Sequence, residues 1–359
     1  MSMLLGRVYE LPLSRDYVRH WGVVEAVREI CQNAIDSESP FEYSIGDGFL
    51  SITSRFAKLE PKTLLLGTTS KADATDKIGS FGEGYKIAML VLTRENRKLT
   101  IFNGDLTWTP SFKMNKHFQE EILTIKESNY PEGRGKGLTF LIEDLSQSDI
   151  DQIIDMNMSM WKSIGNVIET TYGQILIDHP GKLFVAGLFV CNTEFKFGYN
   201  VRPEFLKLER DRQTVSTFDL AFLTKNMWFE TKRFKEIAEH ISNELPDLQY
   251  ANYGTPDMVK EACYELFIDQ HPGAVAASSQ NELKNLIKQG LQRVVYIGGG
   301  AMYGCVTESK SYKSVTLVAV KTPHEWMHEW FKDNRGNMRR DAIVSFKELL
   351  EKSSDWRTK

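Results

Sequence analysis

Apolar residues between positions 23 and 36 recur at helical spacing. Val23, Val27, Ile30, Cys31 and Ala34 share one side, while Glu29, Asn33 and Asp36 fall within roughly 60° of one another on the other. The pattern predicts an amphipathic helix around Glu29, preceded by a helix beginning near Ser14. Tyr43 to Ile45 and Phe49 to Thr53 alternate about Gly46-Asp47-Gly48 and predict a hairpin. A small-polar stretch over residues 67–77 leads to Gly79-Ser80-Phe81-Gly82-Glu83-Gly84, and the apolar run Tyr85 to Leu92 predicts a buried helix. Strands near Leu99 to Asn103, Ile122 to Glu127 and Leu138 to Glu143 complete an α+β arrangement, a mostly antiparallel sheet with helices on one face.

Beyond this region the periodicity changes. A long helical pattern from Ser146 through Tyr172 precedes strands at Gln174 to Asp178, Lys182 to Cys191 and Glu194 to Asn200, then a helix from Thr217 to Leu245. The last part reads as a small α/β unit. Its helix starts are Thr255-Pro256 and the capping box Ser279-x-x-Glu282, and its strands are Ala274 to Ala277, Arg293 to Ile297 and Val315 to Val320. These shifts divide the chain into 1–147, 148–250 and 251–359.

With 359 residues, 42% hydrophobic and 26% charged, the chain has the make-up of ordinary globular domains rather than of a disordered polymer. No apolar run spans a bilayer and no signal pattern opens the chain, so no membrane partner and a cytoplasmic setting are expected. Cys31, Cys191, Cys263 and Cys305 lack paired spacing and read as buried thiols. A net charge of −4 gives no global footprint for nucleic acid.

Glycines ahead of a helix let backbone N–H groups approach an anion at the positive helix end, and Thr69, Ser70 and Lys71 stand where a loop would close over it. The spacing is neither that of a dinucleotide fingerprint nor that of a P-loop. Glu29-x-x-x-Asn33-x-x-Asp36, the Thr69-Ser70-Lys71 segment and Gly79 to Gly84 together resemble the GHKL ATPases. That superfamily comprises the gyrase B subunit, the large heat-shock chaperone, histidine kinases and the MutL mismatch-repair protein.

The resemblance implies a Bergerat-type sandwich that binds ATP and Mg2+, followed by a transducer-like α/β domain and a small C-terminal α/β domain. It implies Glu29 as the base that activates water, Asn33 as the magnesium ligand, and Asp36 beside them. It also implies Gly79, Phe81, Gly82, Glu83 and Gly84 as the phosphate-side lid, and Thr139 as the strand threonine beside the base. Lys71 and Lys86 compete for the phosphate. Arg210 and Arg212 are candidate phosphate contacts from the second domain, and the same charged stretch reads equally as a salt-bridged surface turn. The family's Asp-x-Gly-x-Gly is absent. Ser54 stands in its place, and a hydroxyl discriminates a base edge less firmly than a carboxylate. The layout further implies a slow ATPase switch and a homodimer formed through an exchanged Met1 to Pro12 segment. The sequence names neither a protein client nor a DNA partner.

His324-Glu325-Trp326-Met327-His328 matches HExxH, which places two imidazoles one helical turn apart. A zinc site at His324 and His328 is therefore an alternative. Against it, Thr322-Pro323-His324-Glu325 reads as a helix start, no later histidine follows, and Trp326, Met327, Trp330 and Phe331 read as a packing face. A third alternative is a nucleotide sensor that hydrolyses nothing.

Overall fold

The computed structural model describes residues 6–37, 39–65, 84–130, 137–206, 216–316 and 323–353. The chain forms two compact units, Met1–Leu223 and Thr224–Lys359.

The first unit begins with β1 (Val8–Ser14), α1 (Val23–Asp36), β2 (Phe41–Gly46) and β3 (Phe49–Ser54). It continues through α2 (Gly84–Arg94), β4 (Lys98–Asn103), β5 (Leu106–Asn115), β6 (Glu120–Asn129) and β7 (Leu138–Glu143). The seven strands form an antiparallel sheet in the order β1-β6-β5-β4-β7-β3-β2. Alternation buries Leu50 and Ile52 of β3, Leu99 and Ile101 of β4, and Phe140 and Ile142 of β7 on one face. There α1 packs on β3 and α2 on β4 and β5, with the two helices against each other. Ala26, Val27, Ile30 and Cys31 of α1 and Ala88 to Leu92 of α2 are all buried, each large side chain contributing about 1.5–3 kcal/mol of burial. The α+β arrangement is thus present, and the run from Tyr85 is a buried helix as expected.

No helix begins near Ser14. Leu11 and Leu13 point inward at strand spacing and Val8–Ser14 pairs with β6, so the period there is two and not 3.6. The connector to α1 turns through Val18 at φ 48°, which is strained for a β-branched residue. Arg94 at the end of α2 gathers the carbonyls of Arg15, Tyr17, Val18 and Trp21. β5 has no counterpart among the expected strands, and it contains Pro110, a residue that sheets confine to edges and bulges. β4 pairs with β5 only as far as Ile101↔Trp108, so Pro110 sits where β5 has a neighbour on one side only.

The expected helix from Ser146 to Tyr172 stops early: α3 spans Gln147–Asp155, and Asn157 turns extended to cap the next turn through Ser159 N. A second sheet follows from β8 (Val167–Thr170), β9 (Gly173–Leu176), β10 (Lys182–Val185), β11 (Leu188–Asn192) and β12 (Gly198–Val201). Its order is β11-β10-β12-β9-β8, with β10 and β12 parallel. Ala186 and Gly187, both at positive φ, break the long strand expected over Lys182 to Cys191. The position near residue 147 chosen as a domain boundary falls inside this unit, where Arg97 Nη2 bonds Asp149 Oδ2 (2.8 Å).

The helix expected from Thr217 to Leu245 is two, α4 (Thr217–Glu230) and α5 (Phe234–Ser242), interrupted at Lys232 with φ 57°. The second unit continues with α6 (Asp257–Gln270), β13 (Val275–Ala277), α7 (Gln280–Lys288), β14 (Val294–Tyr296), α8 (Ala301–Glu308), α9 (Lys310–Thr316), α10 (Pro323–Asn334) and α11 (Arg340–Ser353). β13 and β14 are parallel about α7, and Ser279 caps α7 by accepting from Glu282 N (3.1 Å). The strand expected over Val315 to Val320 meets helix α9 at its start instead. Among the described residues no helix is long and apolar enough to cross a membrane.

Candidate functional site

α1 carries the polar stripe. Glu29 and Asp36 are 1% and 5% exposed, so two carboxylates lie almost out of water seven residues apart on one helix face. Asn33, between them and half-buried, donates Nδ2 to the carbonyl of Glu29 (2.7 Å), which turns its amide oxygen away from the backbone. On the opposite side burial pushes the Cys31 thiol up to about 12, against the lowering effect of Asn157 and Tyr43 beside it.

α2 holds the incoming chain. Lys86 is fully buried and its ammonium donates to the carbonyl of Leu65, lying 5.7 Å from the Tyr85 ring. Tyr85 donates to the carbonyl of Thr63 (2.5 Å), and burial pushes its phenol up to about 12. Lys86, one of two candidates for the phosphate, thus ties down the end of a 3-10 turn over Pro61–Leu64.

On the sheet, Ser54, Leu138 and Asn103 form one row across β3, β7 and β4 on the helix-covered face. Asn103 was missed in the sequence. Its amide bonds Leu59 twice, accepting from Leu59 N (3.0 Å) and donating to Leu59 O (2.7 Å), and so fixes the segment after β3. The available signal was a polar residue at the inward position that follows Leu99 and Ile101. Thr139 lies on the other face, its Oγ1 3.0 Å from Thr53 Oγ1. Ser54 and Thr139 are therefore not brought together. Gly137 lets β7 approach β3, since a Cβ there would lie 2.8 Å from Arg55 O and 2.9 Å from Ser54 O.

Gly84 opens α2. Thr69, Ser70, Lys71, Gly79, Phe81, Gly82 and Glu83 lie outside the described residues, as do Arg210 and Arg212. In the second unit His324 and His328 share α10 with ring centroids 6.4 Å apart. Among the described residues no group of three or more His, Cys, Asp or Glu is placed to hold a metal ion. Phe331 of the same helix is buried and stacks on Phe346 at 5.1 Å, whereas Trp326 and Trp330, expected on the same packing face, stay exposed.

No protein-family model matches the chain. It is similar to an uncharacterized protein of Mycoplasma pneumoniae, 26% identical over 213 residues that make up 55% of this chain and 86% of that relative.

Proposed function

We propose that the α1 stripe is the phosphate end of a magnesium-nucleotide site of the GHKL type, on a Bergerat-type sandwich, and that the protein is a slow ATPase switch. The observation that carries the reading is the burial of Glu29 and Asp36 on one face of α1 with Asn33 between them, its amide nitrogen held by the Glu29 carbonyl. Magnesium is a hard cation that takes oxygen ligands, so this donor set fits it, with Asn33 as the protein ligand. When bound, the ion neutralises charge on the phosphates. Glu29 accepts the proton of an attacking water, and Asp36 keeps that side of the helix acidic. Buried from solvent, Glu29 is shielded from competing water. The antiparallel sheet with helices on one face agrees with this reading. ATP-dependent self-association through Met1 to Pro12 belongs to the same proposal.

The test is magnesium-dependent phosphate release and ATP binding by wild type, Glu29→Ala, Asn33→Ala and His328→Ala. General-base loss predicts that Glu29→Ala binds ATP and releases phosphate about 100-fold or more slowly. Asn33→Ala should lose the magnesium dependence of binding, and His328→Ala should behave as wild type. ATP that fails to bind wild type refutes the reading; bound zinc that disappears in His328→Ala replaces it.

A further inference from the structure

α1 has a second attachment that the site does not use. Arg28, the neighbour of Glu29, donates Nε to the carbonyl of Phe189 (3.0 Å). Phe189 belongs to β11, which ends the second sheet. Its ring meets Phe184 edge-on with centroids 5.6 Å apart and packs on the small core of Met158, Leu176 and Phe184. The outer side of β11 is otherwise stitched to the chain just after α3: Phe189 N bonds Met156 O (2.8 Å), Met158 N bonds Gly187 O (2.8 Å), and Asn157 bridges Leu188. The same Asn157 stands beside the Cys31 thiol on the back of α1. One helix thus presents Glu29 on one face and, 100° around, a cation holding the edge of another sheet.

We propose that Arg28 is a positioning residue that couples the state of the α1 site to the edge of the second sheet. The inference rests on the nucleotide reading above. A helix is stiff over a single turn, so a shift or rotation that a ligand imposes at Glu29 and Asn33 moves Arg28 with it. A guanidinium bonded to the Phe189 carbonyl transmits that motion to β11 directly. Coupling of this kind is reciprocal, so loosening β11 alters the site in turn.

Hydrogen exchange read by mass spectrometry on the full chain tests this, over a peptide covering residues 186–192, with and without magnesium and ATP. Variants are Arg28→Ala and Arg28→Lys, the latter keeping a charged donor. In wild type, ATP should slow exchange there by about tenfold, the scale of one charge-assisted hydrogen bond. Arg28→Ala should still bind ATP but respond less than about twofold, and Arg28→Lys should restore part of the response. A merely structural Arg28 would raise exchange in the absence of ATP and leave the response to ATP at its wild-type ratio; that result overturns the coupling. ATP binding to wild type with no change over 186–192 overturns the coupling alone, and no ATP binding to wild type overturns the nucleotide reading together with it.

Discussion

Asp149 is the position where a single atom holds most together. Its Oδ2 accepts from Ser146 N (2.9 Å), Ser146 Oγ (2.7 Å) and Arg97 Nη2 (2.8 Å), while Ser146 Oγ accepts from Asp149 N (3.1 Å). The carboxylate closes the capping box of α3 and binds that helix, which packs on α1, to the end of α2. In Asp149→Ala the backbone N–H of residue 149 still caps on Ser146 Oγ, and loss of the reciprocal carboxylate half of the capping box costs about 0.5–1 kcal/mol. Loss of the charge-assisted bond adds about 1.5–3 kcal/mol. Because one oxygen serves every donor the two overlap, and about 2–3 kcal/mol is expected in total. In a unit of this size that lowers the melting temperature by about 4–12 °C. Burial would raise the Asp149 carboxyl, but the Ser146 hydrogen bonds and the nearby Arg97 charge outweigh it and hold it below the ordinary carboxylate value. The stabilisation is therefore complete above the unfolded value near pH 4 and fades as pH falls through the lower folded value. The assay is thermal unfolding of wild type, Asp149→Ala and Ser146→Ala at pH 7, 5 and 3. A pH 7 difference under about 0.5 kcal/mol for Asp149→Ala, or one that widens toward pH 3, would refute the reasoning.

Gly137→Ala should cost about 1–3 kcal/mol by urea unfolding, because its Cβ would press on two carbonyl oxygens of β3 and the residue after it. Gly104→Ala, in open space at φ 64°, should cost only about 1 kcal/mol, and the opposite ranking would contradict the close-approach argument. With a thiol-specific reagent at pH 8, half-buried Cys191 should label first, while the buried Cys31, Cys263 and Cys305 should wait for unfolding. Fast labelling of Cys31 in the folded protein would mean that its burial is misassigned.

The parts of the fold legible in the sequence were those where burial is one-sided. β3 and β7 alternate without a break because one face meets the core and the other does not, whereas α1 shows its period in residue type although both of its faces are buried. What escaped depended on partners far along the chain. β5 tolerates Pro110 because its ladder to β4 ends at Ile101↔Trp108, and α3 ends where Asn157 and β11 exchange contacts. The stripe of Glu29, Asn33 and Asp36 followed from spacing alone, but the engagement of Lys86 by Leu65 did not.

The connector between β1 and α1 is a loaded hinge with a latch. Val18 stores backbone strain of about 1–3 kcal/mol, and Arg94 gathers carbonyls of the turn that backbone bonds from Tyr17 N to Ser14 O and Trp21 N to Val18 O also close. β1 is the terminal strand of its sheet, and its ladder to β6 would contain the same hydrogen bonds if the strand came from a neighbouring molecule. Ladder chemistry is thus indifferent to whose strand fills the place. In that one turn a strained valine favours opening, while an arginine and two backbone hydrogen bonds favour closure.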